Sequence, residues 1–240
     1  NVTVPYKIRV RDMLAASAVC VLGEDAQRLG AVNTVKAGSD GLAGYNTDVR
    51  GFYDSLTGET GFDPASRKAF VLGAGGAARA VCFALASCGE PVAGISVFDI
   101  DSARSASLQE DINGSLGREL IRTAGTEEVP RKISESDLLV NATPLGTREG
   151  DPVPGPENMT ELFHEGMVVY DLVYSRGTEL VKAARESGLK AANGLGMLVN
   201  QAAITFDIWV GEDFYLGEIR QVMRKAAEKE MKKRAKEGAK

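Results

Sequence analysis

Along this chain, short continuous apolar runs alternate with longer stretches in which apolar residues recur every three or four positions. The runs are Ala69-Phe-Val-Leu72, Ile95-Ser-Val-Phe98, Asp137-Leu-Leu-Val-Asn141 and Met167-Val-Val-Tyr-Asp171. Runs of this length, bounded by turn residues, predict strands buried on both faces. The spacing between them predicts helices over 77–86, 102–114 and 178–187. Strands separated by helices in this way indicate a parallel sheet covered on both sides. Ahead of these units the pattern predicts a helix over 7–17, strands over 31–36 and 41–45, and a helix over 48–56. The polar stretch 57–66 reads as a linker, and the Pro/Gly-rich stretch 144–156 as a long loop. A helix follows over 195–210 and a last one from Phe214 onward. There is no internal repeat and no low-complexity tract.

One junction in this pattern carries chemistry. Lys68-Ala-Phe-Val-Leu-Gly-Ala-Gly-Gly-Ala-Ala-Arg79 joins a strand to a helix through a glycine turn. Gly73 permits the tight turn, Gly75 lets backbone N–H groups approach a pyrophosphate, and Ala78 is the small third position where helix and strand pack. The helix start offers unpaired N–H groups and its positive dipole end to phosphate. Asp99 follows at the tip of the next strand, where a carboxylate accepts the adenosine ribose hydroxyls of a dinucleotide. The alternative is a tight turn that binds nothing. Asn141 and Asp171 also stand just past strand carboxyl ends, where ligands bind in open α/β sheets.

Residues 1–56 hold too few elements for a domain of their own, and the C-terminal helices need something to cover. The economical arrangement is two α/β domains, with residues 1–49 completed by 195–240 and a Rossmann-like nucleotide domain, 50–194, inserted between them.

Composition adds exclusions. The 240 residues are 44% hydrophobic and 25% charged, ordinary globular values. There is no run of eighteen apolar residues, and Asn1-Val-Thr-Val-Pro-Tyr-Lys7 has the character of no signal peptide. Cys20, Cys82 and Cys88 have neither zinc nor redox spacing, so the expectation is core thiols, a cytoplasmic setting and no metal. The net charge of −5 is uneven: Glu218 to Lys240 carries +5 and the remainder −10. The interleaved Glu228, Glu230 and Glu237 favour an exposed terminal helix over a nucleic-acid or membrane surface. The only histidine, His164, belongs to no motif, which argues against a Ser-His-Asp hydrolase.

Six motifs, in order, resemble the shikimate/quinate dehydrogenase family: Asn1-Val-Thr-Val-Pro-Tyr-Lys7, Ala31-Val-Asn-Thr34, Gly44-Tyr-Asn-Thr-Asp48, Val71-Leu-Gly-Ala-Gly-Gly-Ala-Ala78, Asn141-Ala-Thr-Pro-Leu-Gly146 and Gly194-Leu-Gly-Met-Leu-Val-Asn-Gln-Ala-Ala203. The resemblance covers essentially the whole chain. It implies two α/β domains around a cleft and NAD(P)-linked oxidation of a ring hydroxyl on a small carboxylate, with shikimate and 3-dehydroshikimate, or quinate and 3-dehydroquinate, as the pairs. It makes Lys7 and Asp48 the catalytic pair, Lys7 taking up the hydroxyl proton or stabilising alkoxide charge; an ordinary surface ion pair is the plain alternative. By the same carry-over Thr3, Asn33, Tyr174 and Gln201 contact substrate. For Asn33 the plainer role is a turn-capping amide, for Gln201 a solvated helix residue, for Tyr174 a packed aromatic. Gly73, Ala74, Gly75, Gly76, Ala77, Asp99, Asn141, Thr143, Gly194 and Met197 fall on the cofactor side, the last two near the nicotinamide, although Met197 also reads as core filler.

Two departures matter. Family members carry an earlier strand–helix–strand segment whose Ser-x-Ser-like motif holds the substrate carboxylate, and the sequence given begins after it. NADP-using members place an Asn-Arg-Thr-type sequence after the second nucleotide-domain strand; here it is Asp99-Ile-Asp-Ser-Ala-Arg104. Two carboxylates repel a 2′-phosphate, whereas Asp99 suits the free ribose of NAD. NAD is therefore the expected cofactor, with NADP use left open by Arg104. Expected partners are the small ring carboxylate alone, on a monomer or homodimer. A dehydrogenase of an amino-substituted ring and a non-catalytic, ligand-sensing relative stand as alternatives.

Overall fold

The structure, a computed structural model, describes residues 1–3, 6–17, 20–148, 150–174, 177–211 and 216–237, the last without the side chains of 234–237. The chain opens with α1 (Lys7–Ala15), β1 (Cys20–Leu22), α2 (Glu24–Leu29), β2 (Thr34–Gly38) and β3 (Gly41–Tyr45). The three strands form a small mixed sheet in the order β1-β3-β2, with β1 parallel and β2 antiparallel to β3. Its core is a separate cluster built on Leu14, Ala26 and Val32. Helix α3 (Asp48–Thr60) then leads to the larger sheet.

That sheet has six parallel strands: β4 (Lys68–Leu72), β5 (Gly94–Phe98), β6 (Ile121–Thr123), β7 (Leu138–Asn141), β8 (Val168–Asp171) and β9 (Lys190–Asn193), in the order β6-β5-β4-β7-β8-β9. The apolar runs have the predicted cause. Ala69 and Val71 of β4 join one core with α3, α4 (Gly76–Ser87) and α5 (Ser102–Leu116). Phe70 and Leu72 join a second core, on the other face, with α6 (Val129–Ser134) and α7 (Glu179–Glu186). With both faces covered, successive side chains of β4, β7 and β8 are buried without alternation, whereas β5 alternates between buried and half-buried positions. The strand order reverses direction between β4 and β7, which makes their carboxyl ends the switch point where an open α/β sheet leaves a crevice.

Helix α8 (Leu195–Val210) returns to the small sheet, packing along α3, and Trp209 at its end donates from Nε1 to the Val35 carbonyl of β2 at 3.0 Å. Helix α9 (Leu216–Glu237) lies against α8 and is tied to α3 by the ion pairs Arg220–Asp54 and Arg224–Glu59. Among the described residues no helix is long and apolar enough to cross a membrane, and no His/Cys/Asp/Glu group is arranged to hold a metal. The three cysteines are free; Cys82 is fully buried, which pushes its thiol pKa up, while Cys20 and Cys88 are half-buried.

Several boundaries differ from the pattern-based expectation. Helix α1 opens at Lys7 as expected but closes at Ala15, two residues short of the predicted end. Phe214, the expected start of the last helix, lies outside the described residues. Strand β2 begins at Thr34 because residues 31–33 are spent on loop contacts: Val32 N–H donates to the Lys7 carbonyl and Asn33 N–H to that of Tyr45. Helix α3 runs to Thr60, so the linker shortens; Thr57 and Thr60 bond back to the carbonyls of Tyr53 and Leu56, and Gly61 ends the helix at φ 66°. β1, α2, β6, α6 and β9 were not anticipated. Each spans only three to six residues, too few for a period to show.

Candidate active site

Asp48 is the first residue of α3, and the loop before it holds it in place. Asn46 accepts the Asp48 N–H on Oδ1 at 3.0 Å and donates from Nδ2 to the Ala31 carbonyl at 3.1 Å. The Asp48 carboxylate meets Lys7 Nζ at 2.5 Å, with both side chains largely shielded, at 11% and 19% exposure. This is a charge-assisted hydrogen bond across 41 residues of chain, not an ordinary surface pair. Behind it lies a buried polar network. Asn33 Oδ1 accepts from Thr47 N–H at 2.9 Å and from Thr34 Oγ1 at 3.0 Å, and its Nδ2 donates to Thr47 Oγ1 at 3.0 Å. Thr205 Oγ1 of α8 joins Thr34 and Thr47 at 2.8 and 3.1 Å, and Thr47 Oγ1 donates to Gln201 Oε1 at 3.4 Å. Hydroxyl and amide groups that both donate and accept suit such a buried cluster.

The glycine turn is shaped to take a phosphate. Gly73 sits at φ 96°, and a Cβ there would stand 2.9 Å from the Ala142 carbonyl oxygen, so only glycine fits. At Gly75 and Gly76 a Cβ would meet nothing within 4 Å: the turn faces open space. The α4 N-cap is Gly75, with no side-chain cap, which leaves the first N–H groups of the helix unpaired. These two facts are what a pyrophosphate requires, and the residues fit a dinucleotide. Asp99 shapes the turn as well: Oδ2 accepts the Ala74 N–H at 2.7 Å and Oδ1 the Asp101 N–H at 2.9 Å. Asp101 in turn caps α5 through Ala103 N–H and pairs with Arg104 at 3.3 Å. A mainly apolar cleft of about 670 Å³ runs from the turn past Asp99, Asp101 and Arg104 to Thr143 and Pro144.

At the ends of β7 and β8, Asn141 donates to Asp171 Oδ1 at 2.8 Å and accepts from Thr143 N–H and Oγ1 at 3.0 and 2.6 Å. Thr178 Oγ1 donates to Asp171 Oδ2 at 2.6 Å. Burial pushes the Asp171 carboxyl pKa up, against the opposing pull of these donors.

No protein-family model matches the chain. It is 42% identical to a shikimate dehydrogenase (NADP(+)) of Caldanaerobacter subterraneus subsp. tengcongensis, a match covering 93% of this chain and 77% of that protein. Among solved structures it resembles the quinate dehydrogenase of Corynebacterium glutamicum in complex with NAD, at 32% identity and a TM-score of 0.81 over 92% of this chain and 75% of the other. The shikimate 5-dehydrogenase of Listeria monocytogenes, in complex with shikimate and NAD, gives 30% and 0.78 over 93% and 76%. The chain belongs to the shikimate dehydrogenase family.

Within this shikimate dehydrogenase fold the structure gathers Lys7, Asp48, Asn33 and Gln201 at one place, where α1, α3 and α8 meet. It sets Gly73, Ala74, Gly75, Gly76, Ala77 and Asp99 around the mouth of the larger sheet, with Thr143 across it. Asn33 is 1% exposed and does act as the capping amide, leaving its second Nδ2 N–H without a partner among the described residues. Gln201 is half-buried, its amide donating to the Leu198 carbonyl at 3.0 Å. Thr3 is exposed and Tyr174 is 44% exposed, so neither is packing. Gly194 and Met197 lie at the start of α8, Gly194 buried and Met197 half-buried. Sequence reasoning missed Asn46, Thr47 and Thr205. The first two stand inside the Gly44–Asp48 motif and were legible there; Thr205 is an unmarked helix residue whose role exists only once α8 meets the small sheet.

Proposed function

We propose that the chain interconverts shikimate and 3-dehydroshikimate with NAD as its preferred cofactor, and that Lys7 and Asp48 move the proton. The observation that carries this reading is the shielded 2.5 Å contact between Lys7 Nζ and Asp48, in a fold that also holds an open, uncapped glycine turn. The cofactor, when bound, supplies the hydride acceptor. Lys7 and Asp48 handle the other half of the oxidation: the hydroxyl proton leaves as the hydride does, onto a pair already sharing one strong hydrogen bond. Lys7 also offers positive charge to the oxygen as alkoxide character develops, and its partial shielding from water strengthens that interaction. Asn33, Gln201, Thr3 and Tyr174 are assigned to the ring hydroxyls and carboxylate, Gly194 and Met197 to the nicotinamide, and Asn141 and Thr143 to the cofactor edge of the cleft. Residues 1–49 with 195–240 are read as the substrate-binding domain and 50–194 as the nucleotide domain.

The NAD preference rests on Asp99 and Asp101, which place two carboxylates at the cleft where a 2′-phosphate would lie, against one arginine already paired with Asp101. Quinate is retained as a second substrate, since a quinate dehydrogenase is among the solved structures this chain resembles. Steady-state reduction of NAD and NADP with shikimate and with quinate tests all of this. Turnover of neither acid with either cofactor would sink the proposal.

A further inference from the structure

Asp171 stands at the end of β8 with no exposed surface, shut off from the cleft. A buried carboxylate is costly unless donors surround it. Three donors do so here, and all are neutral. Asn141 Nδ2 at 2.8 Å and the Val173 N–H at 3.1 Å meet Oδ1, and Thr178 Oγ1 at 2.6 Å meets Oδ2.

Valence fixes the sense of the Asn141 amide. Asn141 Nδ2 donates both to Asp171 and to the Leu145 carbonyl, the latter at 3.2 Å. Its Oδ1 accepts the Thr143 N–H at 3.0 Å and the Thr143 hydroxyl at 2.6 Å. A carboxylate and a carbonyl only accept, so the NH2 must face them and the oxygen must face Thr143. Turning the amide over would set like poles together at Asp171, at Leu145 and at the Thr143 N–H.

The chain beyond Asn141 is pressed between this pair and the glycine turn. A Cβ on Gly73 would stand 2.9 Å from the Ala142 carbonyl oxygen and 3.2 Å from Thr143 Cγ2. At the other end Gly146, at φ 95°, lays its backbone over Thr178 and Asp171: a Cβ there would meet Thr178 Cγ2 at 3.3 Å and Asp171 Oδ2 at 4.0 Å. Between these two seats, Thr143, Pro144 and Leu145 line the apolar cleft.

We propose that Asp171 is a positioning residue for cofactor binding: it locks the Asn141 amide and, through it, sets Thr143 against the glycine turn. The inference rests on the reading that Thr143 borders the cofactor. The strands concerned, β4, β7 and β8, are neighbours in the sheet, so their three carboxyl ends are tied into one unit by side chains as well as by the ladder.

The test compares wild type with Asp171→Ala and Asp171→Asn by backbone amide hydrogen exchange and calorimetric binding of NAD. In wild type, saturating NAD is expected to slow exchange at Thr143; no slowing there would overturn the underlying reading and the inference with it. In Asp171→Ala without NAD, the Thr143 amide is expected to exchange about tenfold faster, and NAD to bind about tenfold more weakly. Exchange at Val71, inside β4, stays as in wild type. Asp171→Asn keeps an oxygen for Asn141 and Val173 and turns its NH2 to Thr178, whose hydroxyl also accepts. Both values are therefore expected within about threefold of wild type. Unchanged Thr143 exchange or NAD affinity in Asp171→Ala, or an equal loss in Asp171→Asn, would overturn the positioning role alone. If Asp171→Ala also speeds exchange at Val71, a carboxylate pair decides. Asn141→Asp sets two carboxylates face to face and is expected to lose Thr143 protection and NAD affinity. Recovery on adding Asp171→Asn, which removes the opposing charge and offers an amide in its place, supports the positioning role. Equal loss in the single and double variants overturns it.

Discussion

Gly51 of α3 and Gln201 of α8 touch backbone to side chain: a Cβ on Gly51 would stand 2.8 Å from both the main-chain nitrogen and the Cβ of Gln201. This is where the two helices that join the sheets cross, one turn after Asp48 on the first and at the proposed substrate contact on the second. Helix propensity alone favours alanine at such a position by about 1 kcal/mol. Main chain cannot yield as a flexible side chain can, so overpacking wins. Gly51→Ala is expected to lower the unfolding free energy by about 2 kcal/mol in denaturant titration and to reduce kcat/KM, since the helices must part to admit the methyl group. A variant as stable and active as wild type would show that α3 and α8 are free to slide.

Lys7→Ala is expected to lower kcat/KM by at least about a thousandfold, because it removes both the proton partner and the charge opposite a developing alkoxide. ADP-ribose binding, measured by calorimetry, should not change, as the glycine turn is made by other elements. Loss of ADP-ribose binding in this variant would mean that the Lys7–Asp48 contact is structural.

Asp99 is expected to set cofactor choice, with kcat/KM for NAD exceeding that for NADP by about tenfold or more. Asp99→Asn should shrink that ratio and also loosen the turn, because an amide nitrogen must then face either the Ala74 or the Asp101 N–H. The loss in unfolding free energy should be about 1 kcal/mol. A wild-type preference for NADP would contradict the role given to Asp99 and Asp101.

Asp171 gives a pH signature. Burial raises its carboxyl pKa in the folded protein, so the folded state binds that proton more tightly than the unfolded chain. The stability this contributes is complete below the unfolded value of about 3.9 and is lost as pH rises through the folded value. Asp171→Asn has no such group, so its unfolding free energy should gain relative to wild type as pH is raised from about 3 to about 7. A difference that stays constant across the range would show that Asp171 titrates alike in both states.

The sequence by itself determined the local features whose cause is local. Apolar runs marked the four central strands, continuous in β4, β7 and β8, where both faces are buried, and interrupted by Ser96 in β5. The glycine turn was legible because Gly73 takes a positive φ with no room for a Cβ, and Gly75 leaves its backbone open to a ligand. The ordered motifs from Asn1 to Ala203 were enough to pair Lys7 with Asp48, and the two side chains do meet. Tertiary structure alone decided what depends on distant segments meeting. Thr205 became part of the network behind Asp48 only when α8 returned to the small sheet, and Tyr170 met Ser55 only when β8 was set beside α3. Asn33, read from sequence as either a ligand contact or a turn cap, bonds Thr47 only because the loop before α3 was folded against it. Strands as short as β1, β6 and β9 exist because a neighbour supplies their hydrogen bonds, and no periodicity in three or four residues records that neighbour.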